Sequence, residues 1–327
     1  MEQGAVLVTT DHLVPGDEVD RLLRAAGWST RHAPLRGPRP PGELAAALAG
    51  AEGALIANEA LTAEVLAAAP ALRAVVRTGV GSDSVDLAAA TAAGVSVSTL
   101  PGINAVAVAE YTMGLLLASA RRLVPVATEV AAGGWPRPDG TDLRGATLGL
   151  VGYGAAARAV VPLARAFGMH VLCTTSVPPD QRDAGEVRFV ALPELLATAD
   201  FVSVHTALTP ATRHLLDARA LAAMKPTAHL VNTARGAIVD EAALAAAVRT
   251  GRIAGAALDV TATEPLPADS PLRGVPGITV FSHLAGQSAG ARRAAGLAGA
   301  RELLDALAGR PRSSLNAHLI PPRGTAP

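Results

Sequence analysis

The sequence predicts an α/β fold of parallel sheets covered by helices, and three observations carry that prediction. Short apolar runs alternate with alanine-rich stretches along the 327-residue chain, the rhythm of βαβ units. The runs are rich in Val, Ile and Leu with little alternation, as strands buried on both faces require. Half of the residues are hydrophobic and 17% are charged; this suits a substantial core, and the length predicts two domains.

The elements follow in order. Strands are expected at Val6–Thr9, Ala54–Ala57, Arg73–Arg77 and Val95–Ser98. The stretch NAVAVAEYTMGLLLASAR, 104–121, is long, apolar and free of proline, so it reads as one helix. A Pro/Gly-rich loop, GGWPRPDG, leads into a second strand series at Thr147–Val151, His170–Thr174, Phe201–His205, His229–Asn232, Ala256–Val260 and Ile278–Phe281. A helix is expected at Ala155–Phe167 and a last one at Ala291–Leu307. The long helix crosses from one domain to the other and the last helix crosses back. The first domain is then discontinuous, 1–104 with 287–327, around a second domain at 105–286. No internal repeat is present, and the Pro-rich tail after Ile320 is expected to fray.

Composition narrows the function. With 28 basic and 28 acidic residues the chain has no charge to draw it to nucleic acid or anionic lipid. The single cysteine, Cys173, excludes an internal disulfide framework and fits a reducing, cytoplasmic compartment; its apolar setting reads as a buried small hydrophobe. No signal peptide is expected, nor a membrane span, since no uninterrupted apolar run reaches about 18 residues. No metal-ligand set is identified.

The segment TLGLVGYGAAA, 147–157, runs a strand into a glycine turn and a helix. Gly152 can make the tight turn and Gly154 can let the backbone approach a phosphate. Ala157, at the third position, still permits close helix–strand packing. Ala155 and Ala156 then open a helix whose free N–H groups face a pyrophosphate. Alone this is a weak signal; between a strand and a helix it reads as a dinucleotide site. About 20 residues further on an acidic residue should take the ribose 2′-hydroxyl of NAD. Thr174, Thr175 and Ser176 stand there instead. Hydroxyls tolerate a 2′-phosphate, and Arg182 is near in sequence, so NAD and NADP both remain open.

Three further segments end strands in polar residues: VNTARGAIVDE (231–241), ALDVTATEPLP (257–267) and VFSHLAGQS (280–288). They supply Arg235, Asp259, Glu264 and His283 beyond the carboxyl ends of strands, where doubly wound sheets bind ligands. A base, its orienter and a fixed cation are the set needed for proton transfer beside an oxyanion. Taken singly, Arg235 reads as a surface arginine, Glu264 as a solvated acid and His283 as a structural histidine.

Together with RTGVGSDSVDL (77–87), NAVAVAE (104–110), LRGATLGLVGYG (143–154) and ADFVSVHTALTPATRHLL (199–216), these segments resemble the D-isomer-specific 2-hydroxyacid dehydrogenases. The resemblance runs from about Arg73 to Asn316. It implies two doubly wound parallel-sheet domains, a Rossmann cofactor domain inserted into a flavodoxin-like substrate domain, with the active site in the cleft and a homodimer as the usual assembly. It implies an oxidoreductase moving a hydride between NAD or NADP and a small 2-keto or D-2-hydroxy acid. Arg235 would bind the carboxylate and polarise the keto oxygen. His283 would be the acid/base, and Glu264 would fix its tautomer and favour its protonated form. Thr78, Gly79, Val80 and Gly81 would hold the carboxylate through backbone N–H groups, with Asn104 nearby. His205, Thr233, Ala234, Asp259 and Gly286 fall at cofactor positions.

Arg77 carries two readings of equal weight: a second cation for a dianionic substrate, or a salt-bridge partner of Asp83 or Asp86. The chain also departs from the family's habits at Ala155 and Ala156, at Ala207, at Thr261 and at Phe281-Ser282, where Thr-Pro usually precedes the histidine. These departures suggest a reshaped pocket. Two alternatives stay open: a same-fold oxidation of a non-hydroxyacid substrate, as in phosphite dehydrogenase, and a non-catalytic NAD(H)-sensing binding protein.

Overall fold

The computed structural model describes residues 3–34, 40–178, 185 and 187–320; Arg182 and the tail after Ile320 lie outside the described residues. The chain divides into two compact units, Met1–Asn104 with Ala289–Pro327, and Ala105–Ser288.

The amino-terminal segment alternates β1 (Gln3–Val8), α1 (Glu18–Ala25), β2 (Trp28–His32), α2 (Pro41–Leu48), β3 (Ala51–Ile56), α3 (Ala63–Ala67), β4 (Ala74–Arg77), α4 (Leu87–Ala92) and β5 (Ser96–Ser98). Its five strands are all parallel, in the order β2-β1-β3-β4-β5, the flavodoxin-like arrangement. Successive strand residues feed opposite faces. Val6 and Val8 pack with Leu23 and Leu303 on one side, while Leu7 packs with Leu44, Leu48 and Val65 on the other. Two-sided burial is why these strands read as unbroken apolar runs.

The second unit holds α5 (Ala105–Ala120), α6 (Leu123–Ala131), β6 (Thr147–Val151), α7 (Ala155–Ala166), β7 (His170–Thr174), β8 (Val187–Phe189), α8 (Leu192–Thr198), β9 (Phe201–Val204), α9 (Ala218–Ala223), β10 (His229–Asn232), α10 (Glu241–Arg249), β11 (Gly255–Leu258) and β12 (Ile278–Val280). Its strands are also parallel, in the order β12-β11-β10-β9-β6-β7-β8. The order reverses between β6 and β9, which makes the topological switch point where such sheets bind ligands. The chain then returns to the first unit through α11 (Ala289–Leu307), whose Leu303 and Leu307 pack beside Leu55 and Val76.

The expected strands are present: those at Thr147–Val151, His170–Thr174 and His229–Asn232 match at both ends, and the others have ends moved by at most three residues. Two more strands, β2 and β8, give no apolar run, and the reason is their place. Each lies at the edge of its sheet. In β2, WSTRH, Trp28 is the one residue buried. The helix α6 is also additional to the expected elements. Arg122, in a left-handed conformation, ends α5 and starts α6, and Pro125 sits in the first turn, where its missing N–H costs nothing. No residue of α6 is buried, and Leu123, Val124 and Val130 are exposed. Among the described residues no helix is long and apolar enough to cross a membrane.

Candidate functional site

The glycine turn leaves β6 at the switch point. Gly152 has φ +104°, and a Cβ there would stand 2.7 Å from the carbonyl carbon of His205 and the amide of Thr206. Only glycine fits between the ends of β6 and β9. Gly154 has the opposite setting: nothing lies within 4 Å of its missing Cβ, so its backbone faces open space at the start of α7. Ala157 is fully buried beneath them, the close packing that position requires. Ala155 and Ala156 form the first turn of α7 and are half-buried.

A cleft of about 380 Å³ opens on this turn. Gly152, Gly154, Thr174, Thr175, Ser176 and His205 line it together with Tyr153, Val177, Thr206, Ala207 and Thr212. Thr175 Oγ1 accepts the Val177 N–H at 3.1 Å, which leaves its own proton to donate. Among the described residues no carboxylate lines the end of β7 in the cleft. Burial lowers the pKa of His205 to about 4, and its Nε2 lies 2.9 Å from Ser203 Oγ. The imidazole is therefore neutral at physiological pH. An anion in this cleft meets backbone N–H groups and the positive end of the α7 dipole, not a fixed cation among the lining residues.

The other strand ends assemble a second cluster. At the exit of β10 the fully buried Asn232 braces the loop: its Oδ1 accepts from Ala234 N at 3.0 Å and its Nδ2 donates to Arg235 O at 2.9 Å. Arg235 Nη1 donates to Ala234 O at 2.8 Å. Gly236 presses on the next loop, since a Cβ there would fall 1.9 Å from the Thr261 carbonyl carbon. Beyond β11, Glu264 Oε1 accepts from Thr261 N at 3.1 Å and Oε2 lies 2.7 Å from His283 Nδ1. Burial pulls the Glu264 pKa up. The hydrogen bond and charge of His283, the Thr261 N–H and the charge of Arg235 outweigh it, and the net pKa is lowered. Glu264 is thus ionised, Nδ1 of His283 carries a proton, and the neutral tautomer leaves Nε2 as the free acceptor. Arg235, Glu264 and His283 form one electrostatic cluster at the carboxyl edge of the sheet.

Asp259 is 1% exposed. Its carboxylate accepts from Leu284 N and Ala285 N, both at 2.8 Å, and so organises the turn that leads to Gly286. Thr233 Oγ1 lies 3.1 Å from Thr112 Oγ1. Sequence reasoning did not mark Asn232, Tyr111 or Thr112. The available signal was polar residues inside otherwise apolar segments.

In the first unit Arg77 is 4% exposed. Its Nη2 donates to Asn58 Oδ1 at 2.9 Å and its Nη1 to Ser84 Oγ. Asp86, one of its two considered acidic partners, caps α4 by accepting from Ala89 N. Thr78 Oγ1 is 3.1 Å from Thr10 Oγ1. Gly79 has open space at its missing Cβ, Val80 is 46% exposed, and Gly81 and Asn104 are half-buried.

A parallel sheet with a glycine turn at its switch point and an acid/base cluster at the same edge defines a dinucleotide-binding α/β protein. Comparison with known proteins makes the class specific. Residues 113–285 match the family model of the D-isomer specific 2-hydroxyacid dehydrogenase, NAD binding domain, and the chain belongs to this family. It is 44% identical over 261 residues to a D-3-phosphoglycerate dehydrogenase of Mycobacterium leprae, covering 78% of this chain and 49% of that one. It is 43% identical over 243 residues to an (S)-sulfolactate dehydrogenase of Chromohalobacter salexigens, covering 73% and 79%. The crystal structure of the TT0316 protein from Thermus thermophilus superposes with a TM-score of 0.86 at 39% identity, covering 95% of this chain and 99% of that one. The chain spans about half the length of the D-3-phosphoglycerate dehydrogenases it matches.

Proposed function

We propose that the protein is a nicotinamide-dependent oxidoreductase that interconverts a small 2-keto acid and its D-2-hydroxy acid. The observation that carries this reading is the 2.7 Å pair of Glu264 and His283 beside Arg235, in a chain whose relatives include sulfolactate and phosphoglycerate dehydrogenases. Arg235 would fix the substrate carboxylate and draw charge onto the keto oxygen, where a preorganised cation lowers the barrier most. His283, held as a donor pair with Glu264, would pass a proton from Nε2 to that oxygen and take it back in the oxidation. The nicotinamide, when bound, supplies or accepts the hydride. The open backbone at Gly154 and the N-terminus of α7 would take the pyrophosphate; Thr233, Ala234 and Gly286 stand on the loops that would border the ring. The backbone N–H groups of Thr78–Gly81 are our candidates for further carboxylate donors.

The cofactor form follows from the end of β7. Hydroxyls at Thr174, Thr175 and Ser176 neither demand a 2′-hydroxyl nor repel a 2′-phosphate, so the cleft should take NADH and NADPH with affinities within about tenfold of each other. A homodimer is the proposed assembly, supported by the exposed apolar side chains of α6; light scattering on the purified protein tests it, and a monomer at micromolar concentration would refute it. The activity is tested by titrating both cofactors and then following their oxidation with a panel of 2-keto acids, including glyoxylate, hydroxypyruvate and sulfopyruvate. Turnover with at least one is expected, falling as pH rises and imidazoles lose their protons. No turnover across the panel with either cofactor would turn the reading toward a binding protein.

A further inference from the structure

The loop that carries His283 has to be held in place. His283 has φ 60°, a left-handed conformation uncommon outside glycine, and Ser282 gives the loop no proline to stiffen it. Such a conformation is strained for a residue with a side chain and persists where the surroundings over-determine it. Asp259 does much of that. Its carbonyl accepts from His283 N at 2.8 Å, and its carboxylate takes the next two amides, Leu284 N and Ala285 N, at 2.8 Å each. A carboxylate this deeply buried needs donors on its other side as well.

Helix α5 brings one near: the Tyr111 phenol interacts electrostatically with the Asp259 carboxylate. Its ring meets Phe281 edge-on, with centroids 6.0 Å apart and an interplanar angle of 84°. Thus Tyr111 touches both the residue that grips the loop and the residue that enters it. The next residue, Thr112, is fully buried, with Oγ1 3.1 Å from Thr233 Oγ1, two residues before Arg235. Adjacent helix residues project about 100° apart, so a single turn of α5 reaches the exits of two neighbouring strands, β10 and β11.

We propose that Tyr111 and Thr112 are positioning residues, the phenol holding the loop of His283 through Asp259 and Phe281, and the threonine holding the loop of Arg235 through Thr233. Neither takes part in the chemistry. Burial first, and the Asp259 carboxylate second, raise the Tyr111 pKa, so the phenol remains a neutral donor. The catalytic consequence rests on the function proposed above; the structural link does not.

Two near-isosteric variants test it. Tyr111→Phe keeps the ring on Phe281 and removes one hydroxyl; Thr112→Val keeps the shape and removes the other. Hydrogen exchange of the cofactor-free protein reads the loops directly. In Tyr111→Phe, which removes the phenol's polar interaction with Asp259, the amides of 283–285 should exchange about tenfold faster, while 233–239 keeps its rate. Thr112→Val should give the reverse. In steady state Tyr111→Phe should lower kcat roughly fivefold to tenfold with KM for cofactor and keto acid held. Unchanged exchange at 283–285 overturns the proposal. So does equal loosening of both loops in both variants, which would mean a general loss of packing. A loosened loop with unchanged kcat removes the positioning role. A wild-type protein without turnover defeats the proposed function but leaves the exchange result as the judge of the clamp.

Discussion

Two carboxylate–imidazole pairs of this protein, one in each unit, are built for opposite ends. Asp20 and His32 join α1 to the end of β2 with Nε2 3.2 Å from Oδ1, and their side chains are 4% and 9% exposed. Asp20 also accepts from Gly16 N at 2.9 Å, from Arg24 Nε at 3.0 Å and from the Thr30 hydroxyl. The second nitrogen of His32 lies 3.3 Å from Leu13 O. Every valence of that pair is spent inside the fold. Burial raises the Asp20 pKa, and the donors around it overcome that and hold it far below the ordinary carboxylate range. Glu264 and His283 are 37% and 32% exposed, and among the described residues the His283 ring is bonded through Nδ1 alone. The difference lies in the unspent nitrogen. A pair that cements structure uses both ring nitrogens, whereas a pair that is to move protons, the role proposed for Glu264 and His283, must leave one facing outward.

Substitutions should separate the two. The largest effect is expected for His283→Ala, which should lower kcat by about a thousandfold or more with cofactor affinity intact; His32→Ala should leave kcat near wild type and lower the thermal midpoint. Retained turnover in the first, or lost turnover in a still-folded second, would break the contrast. Arg235→Ala comes next, with a loss of about a hundredfold to a thousandfold in kcat/KM for the keto acid; unchanged kinetics would place that guanidinium outside the reaction. Asp20→Ala should cost about 3 kcal/mol of stability by urea titration, because it leaves the buried His32 imidazole without its carboxylate. A cost below about 1 kcal/mol would mean that the pair is structurally idle.

The smallest expected effect is in acid. Asp20 and Glu264 both have folded pKa values below their reference values of 3.8 and 4.5. The unfolded chain therefore binds protons first as pH falls. The stability these groups contribute is complete above those reference values and is lost on acidification toward the folded ones. The urea midpoint should decline from about pH 5 downward. Asp20→Asn should flatten that slope clearly, and Glu264→Gln only slightly, since a half-exposed group is screened by solvent. Equal flattening by both would contradict the burial difference on which the comparison rests.

The same distinction between buried and half-open explains what was legible in the sequence. Central strands such as β6, β9 and β10 are sealed on both faces and announce themselves as apolar runs. The edge strands β2 and β8 are short or polar and carry no such signal. In α6 an early proline and a lack of buried residues hide a helix that is nonetheless formed. Arg235, Glu264 and His283 are readable as polar residues following strand ends. The Glu264–His283 bond and the charge of Arg235 beside it are not, because they depend on how three loops from β10, β11 and β12 meet. The grip of Asp259 on Leu284 and Ala285 belongs to the same class: its partners are backbone amides, which no residue type reveals. The two readings of Arg77 could not be weighed from sequence either, since its neighbours Asn58 and Ser84 come from other turns of the same unit.

The contact at Gly236 has one more consequence. Where a side chain would begin, the backbone of Thr261 already stands, and backbone cannot step aside as a flexible side chain can. The segments bearing Arg235 and Glu264 are therefore mechanically one piece, and neither can drift without carrying the other. On the proposed function, new substrate preferences would have to arise from side chains decorating that piece, since its outline is not free to change.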